Sequence, residues 1–296
     1  MRRRPACAYS LTRYCYNGGE LKDSGVDATP ENNTTLKGTS PVVPIAVNRP
    51  CAAVACGDCG VYRLCVPLGL GGGDLSLLES VVRRQQTFRR GELLYCTGEP
   101  LEYIYAIRSG SVKTYIATED RRVQVTGFHI AGELLGLNAI VSRRHKCQAR
   151  ALETTSVCMV SIERFEPLAK RQPAIQYEML KIMSGEISHH QELLLLLGKR
   201  NAEERLAAYL LSLSRRFAKR RYSATEFNLS MSRSDIGNYL GIAEETVCRV
   251  FTRFQEEGLI TTRRRYIELR DIERLKAIAH EPSCRAVAVA GPVSGA

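Results

Sequence analysis

The chain has 296 residues, 44% of them hydrophobic, with eleven cysteines and 42 basic against 31 acidic side chains, a formal charge of +11. That length accommodates two domains with cores of their own. No apolar run reaches the roughly 20 residues that span a bilayer, and Arg2 to Arg4 open the chain without an apolar secretion segment behind them. A cytoplasmic protein with a polyanionic partner is expected, although many basic proteins bind no nucleic acid and a motif must carry that case.

Residues 1–50 read as a disordered extension, because Asp23 to Pro41 is rich in Asn, Thr, Gly, Ser and Pro and lacks periodicity. Residues 51–73 form a cysteine-rich loop, Cys51-x4-Cys56-x2-Cys59-x5-Cys65, running into a flexible glycine-rich joint at Gly69 to Gly73. Without a secretion signal, such a cluster points to metal or redox chemistry rather than to disulfides. Thiolates suit zinc or an iron–sulfur cluster, and the spacing leaves both open. One CxxC pair without a nearby histidine is a poor structural zinc set.

Residues 74–172 are expected to form a β-roll. Asp74 caps a short helix, Leu75–Val82. Turn signals at Gly91-Glu92, Thr97-Gly98 and Ser109-Gly110 then separate strands such as Tyr103–Ile107, Val112–Ile116 and Val123–Ile130. In residues 173–200 the apolar period changes to three and four, which is helical. The resulting helix, roughly 38 Å long at 1.5 Å per residue, either packs between two domains or pairs with a symmetry mate. The expected pairing residues are Ile175, Met179, Ile182, Met183, Ile187 and His190.

Residues 201–280 read as a winged helix-turn-helix domain, followed by a flexible tail, 281–296. A helix from Ala202 to Arg220 precedes a short strand near Phe227–Leu229, two small helices, and strands at Leu259–Thr262 and Tyr266–Leu269. The first small helix runs from about Ser234 to Leu240, Gly241 makes the turn, and the second runs from Ala243 to Glu257. Val247, Val250, Phe251 and Phe254 form its buried face. Glu245, Cys248, Arg249 and Thr252 form the opposite one, near the end that enters a major groove in this motif. Arginine can bond a guanine edge in bidentate fashion, and glutamate can accept from cytosine. A Glu and an Arg four apart also make an ordinary surface ion pair. The glycine turn, the preceding helix and the basic hairpin Arg263 to Arg265 favour DNA, with Arg263 and Arg264 on phosphates. His129, His145, His189, His190 and His280 are scattered without a partnering nucleophile, so no enzyme is expected.

Several stretches are closely similar to the FNR branch (fumarate and nitrate reduction regulators) of the CRP/FNR superfamily. They are the cysteine segment, Tyr105 to Gly110, Thr126 to His129, Ala151 to Thr154, Met183 to Ile187, Asn201 to Ala208 and Asp235 to Gly241, and the resemblance spans about residues 51–280. It implies an α+β chain with an N-terminal β-roll (jelly-roll) sensor domain, a long dimerisation helix and a C-terminal winged helix-turn-helix domain. It further implies a [4Fe–4S] cluster on Cys56, Cys59, Cys65 and Cys158, with Cys51 matching a cysteine that is not a ligand. The intact cluster would favour a homodimer that binds palindromic, TTGAT-like sites in double-stranded DNA and activates anaerobic genes through RNA polymerase. Two positions depart from the family. Cys248 stands where serine is usual, and His190 where an acidic residue is common, which would make pairing depend less strictly on the cluster. A cyclic nucleotide is not expected: Gly132-Glu133 is kept, but His145-Lys146-Cys147-Gln148-Ala149 lacks the arginine of a phosphate clamp. The alternative is a zinc-stabilised or constitutive CRP-like regulator without redox sensing.

Overall fold

The computed structural model describes residues 82–281, Arg121 excepted. The expected extension 1–50, the cysteine loop with Cys51, Cys56, Cys59 and Cys65, the start of the helix expected from Leu75 and the tail beyond residue 281 lie outside the described residues. Val82, expected to end that helix, instead opens a strand.

Eight strands follow one another: β1 (Val82–Phe88), β2 (Leu93–Tyr95), β3 (Tyr103–Ser109), β4 (Ser111–Ala117), β5 (Val123–Ile130), β6 (Leu134–Leu135), β7 (Gln148–Ala151) and β8 (Thr155–Ser161). They form two four-stranded antiparallel sheets, in the orders β1-β8-β3-β6 and β2-β7-β4-β5. Alternate side chains point to opposite faces of a strand. Tyr105, Ile107, Val157 and Met159 of the first sheet therefore share a core with Leu94, Val112, Ala149 and Ala151 of the second, which is a β-roll.

A helix that the sequence reading missed, α1 (Ile162–Arg171), and the long α2 (Pro173–Lys199) follow β8. Pro173 suits the first turn of α2, where its missing N–H has no intrahelical partner to lose. The outer face of the first sheet is covered there: Ile104 and Val160 pack with Phe165 of α1 and Ile175 of α2. Among the described residues no helix is long and apolar enough to cross a membrane.

The C-terminal part begins with α3 (Ala202–Ala218). Asn201 Oδ1 accepts from Glu203 N and Glu204 N, and Glu204 reaches back to Asn201 N, a reciprocal cap. Strand β9 (Glu226–Asn228), helices α4 (Arg233–Leu240) and α5 (Glu244–Glu256), strands β10 (Ile260–Arg263) and β11 (Tyr266–Leu269), and α6 (Ile272–Ile278) complete it. The three strands pair in the order β10-β11-β9. The core of these helices is continuous with the outer face of the second sheet, where Tyr115, Val125, Phe128 and Leu152 join Tyr209, Leu210, Ile236 and Tyr239.

Candidate nucleic-acid interface

The turn between α4 and α5 has steric causes. Gly241 caps α4 in the left-handed region at φ 63°, which a side chain would strain. Gly237 lies where a Cβ would sit 2.6 Å from Ile242 O, so only glycine lets the two helices approach this closely. Ser232 Oγ accepts from Asp235 N, fixing where α4 starts.

Helix α5 shows the two expected faces. Val247, Val250, Phe251 and Phe254 are buried, whereas Glu245, Cys248, Arg249 and Thr252 are all exposed. The Arg249 guanidinium donates to Thr246 Oγ1 at 3.1 Å, one turn back, and Thr252 Oγ1 donates to the Cys248 carbonyl at 3.2 Å. The Arg233 guanidinium stacks 3.3 Å from the centroid of Phe251. The β10–β11 hairpin turns through Arg264 and Arg265, so Arg263 and Arg264 are exposed beside α5, and Arg264 is held at φ 57°. The six residues expected to touch DNA thus lie on surfaces of one small domain and none is buried.

The cysteines divide. Cys147 points into the β-roll, its Sγ 3.7 Å from Asn138 Nδ2 and 4.0 Å from the Tyr95 hydroxyl, and burial pushes its thiol up. Cys158 lies on β8 between Gln85 of β1 and Ala106 of β3. Its chain neighbours Val157 and Met159 face the core, so Cys158 faces out of the roll, and it is 8% exposed. Among the described residues, no three His, Cys, Asp or Glu side chains converge to hold a metal. A metal group on Cys158 would therefore need ligands from residues outside 82–281. A soft thiol on the outer face, beside the strand that the cysteine loop leads into, fits that requirement.

The roll positions that bear on a nucleotide phosphate have partners within the chain. His145 is 2% exposed, stacks on Tyr95 with centroids 3.8 Å apart, and is pushed down to about 4 by burial. Arg143 pairs with Glu166, and Arg144 donates to the Gly98 carbonyl. The Glu133 carboxylate is taken up by Arg216 and Arg220 of the α3 region.

The long helix has two apolar faces, and the residues expected to pair divide between them. Ile175 is 0% exposed and belongs to the core of its own chain, and Met179 packs against the same cluster. Ile182 is half-buried. Met183, Ile187 and His190 are exposed, and they lie along a stripe that the sequence reading had not assembled. Leu180, Ile187 and Leu194, seven residues apart, are 63%, 58% and 70% exposed. A seven-residue repeat places them on one line of the helix.

The family model of the Crp-like helix-turn-helix domain matches residues 204–278, and that of the cyclic nucleotide-binding domain matches residues 85–172. The fumarate and nitrate reduction regulatory protein of Salmonella typhi is 44% identical over 227 residues, covering 77% of this chain and 91% of the relative. That of Escherichia coli (strain K12) is 43% identical over the same length, with the same coverage. Among solved structures, FixK2 from Bradyrhizobium japonicum is similar at 33% identity and a TM-score of 0.61, covering 66% of this chain and 96% of that one. With that identity along most of its relatives' length, a Crp-like helix-turn-helix and the β-roll before it, the chain belongs to the FNR branch of the CRP/FNR superfamily, a family of DNA-binding transcription regulators.

Proposed function

We propose that this regulator is oxygen-responsive: a [4Fe–4S] cluster on Cys56, Cys59, Cys65 and Cys158 promotes a homodimer that binds palindromic, TTGAT-like sites and activates anaerobic genes in the cytoplasm through contact with RNA polymerase. The observation that carries the reading is the exposure of Glu245, Cys248, Arg249 and Thr252 on one face of α5, with a basic hairpin beside it. Arg249 is the side chain suited to a guanine edge and Glu245 the one suited to cytosine. Arg263 and Arg264 supply charge for phosphates. Cys248 is a weaker hydrogen-bonding group than serine, and its contact contributes less to site choice.

When bound, the cluster supplies an oxygen-labile link between the N-terminal segment and β8. Cys158 anchors that link on the sheet face where Val160, two residues on, packs against Ile175 at the root of α2. Leu180, Met183, Ile187 and Leu194 offer the other face of α2 to a second copy, with His190 at its edge. Pairing then sets two α5 helices about one DNA turn, ~34 Å, apart. His145, its stacking partner Tyr95 and the occupied Glu133 carboxylate support a roll that takes no cyclic nucleotide.

The test is anaerobic purification of the full chain, with the visible spectrum, iron and acid-labile sulfide assays and a gel shift on a TTGAT palindrome, each repeated after air. A brown protein with about four irons and four sulfides per chain, losing both colour and DNA affinity in air, is the expected result. A colourless protein with stoichiometric zinc and air-stable DNA binding would replace this reading with a zinc-stabilised regulator.

A further inference from the structure

The DNA-binding domain is bound to the β-roll by more than its chain connection. Helices α2 and α3 are joined through Arg200 and Asn201, both extended, with φ/ψ of −107°/146° and −78°/176°. Two residues contribute four soft dihedrals and do not fix an orientation by themselves. A seam of polar contacts does so. Glu133, in the turn before β6, accepts at Oε1 from Arg216 Nε at 2.9 Å and from Arg220 Nη2 at 2.8 Å. Its Oε2 accepts from Arg216 Nη2 at 2.6 Å and from Ile130 N at 3.1 Å. The same two arginines cap β-roll carbonyls, Arg216 at Phe128 O and Arg220 at Ala131 O.

At the other end of the seam Lys113 of β4 pairs with Asp235 of α4 at 2.5 Å. Asn238 of α4 adds itself to the edge of β5: Nδ2 donates to Val123 O at 2.7 Å, and Oδ1 accepts from Val125 N at 2.6 Å. Between the two polar ends, Phe128 packs edge-on to Tyr239 and against Tyr209. All these contacts use α3, α4 and the segment just after α3. The face of α5 and the hairpin tip stay exposed. Docking therefore holds the reading head without covering it.

We propose that Glu133, Arg216 and Arg220 are positioning residues for DNA recognition, a clasp that sets the orientation of each reading head on its β-roll and thereby the spacing of the two heads in the dimer. Bidentate pairing gives the clasp direction as well as attraction, because a planar guanidinium and a carboxylate match in only a narrow range of angles. The clasp rests on the dimeric, DNA-binding reading above.

The experiment compares the full chain with E133Q under anaerobic conditions on three duplexes: the TTGAT palindrome, one half-site, and the palindrome with its half-sites moved two base pairs apart. E133Q is expected to lose at least tenfold in affinity for the palindrome, to change less than twofold on the half-site, and to discriminate less between the two spacings. K113M, at the outer end of the seam, leaves the buried arginines paired and is expected to shift the same ratios by about threefold, which keeps the test alive should E133Q fail to fold. Spacing discrimination unchanged from wild type in K113M and any folded E133Q, or a rise in palindrome affinity, overturns the clasp while leaving the dimeric reading intact. A wild-type chain indifferent to spacing overturns both.

Discussion

Glutamate and arginine meet in two regions of this molecule with opposite results. At the seam, Glu133 accepts four hydrogen bonds from Arg216, Arg220 and a backbone amide, and the pair is largely out of water. Burial alone would push the Glu133 carboxyl up, but the two guanidiniums outweigh it and hold it at about 2. On α5, Glu245 and Arg249 stand exposed, and Arg249 makes one bond, to a threonine of its own helix. Groups whose hydrogen-bonding capacity is filled within the chain hold the fold. Groups left open are the ones available to a partner.

The largest expected break in this contrast is at the seam. Arg216→Met leaves Glu133 with two of its four hydrogen bonds in a buried position, and removing one member of a buried pair costs about 3 kcal/mol. Urea unfolding of the variant and wild type should show that loss. A change of under 1 kcal/mol would place the seam with ordinary surface ion pairs. On α5 the effects should reverse. Arg249→Ala is expected to weaken binding to the TTGAT palindrome by about 1–3 kcal/mol and to relax the choice of base at one position, with the unfolding midpoint unmoved. Loss of stability in place of affinity would show that Arg249 belongs to the fold.

The two cysteines sharpen the contrast without an energy scale. Cys158→Ser should abolish stoichiometric iron and sulfide in anaerobically purified protein, and Cys147→Ser should retain both. Equal retention in the two variants would remove Cys158 from the ligand set. A smaller effect is expected from pH. Burial holds His129 and His145 at about 4 in the folded chain, below the ordinary imidazole value of about 6.5. Between those values the unfolded chain binds protons that the folded chain does not, so stability is complete above about pH 6.5 and declines as pH falls toward 4. Denaturant midpoints at pH 7, 6 and 5 should fall in that order, and His145→Phe should flatten the trend. Glu133, held at about 2 against an ordinary value of 4.5, begins to lose its contribution only as pH falls through about 4.5, at the foot of this window.

The reading face of α5 was legible because its period is strict: Val247, Val250, Phe251 and Phe254 can lie on only one side of a helix, and the structure buries all four. The β-strands were legible from alternation and glycine turns. Helix α2 was harder because it is apolar on two sides. Ile175 and Met179 serve the chain's own core, and Leu180, Ile187 and Leu194 face out, so a list of apolar residues mixed the two faces. The seam left no local signal. Glu133 and Arg216 are 83 positions apart, and Lys113 and Asp235 are 122 apart. Neither pair has a period or a spacing that marks it, and only the folded topology brings them together. Helices α1 and α6 were missed, the first lying at the end of the β-roll segment, where no element was assigned.

The hairpin tip bears on how this protein could be improved and what that would sacrifice. Arg264 occupies a left-handed backbone conformation that glycine or asparagine adopts with less strain. An engineer seeking thermal robustness would replace it with glycine. That exchange would relax the turn and remove a positive charge from the surface assigned to phosphates. If Arg264 contacts phosphate as proposed, robustness and grip on DNA are opposed at this residue.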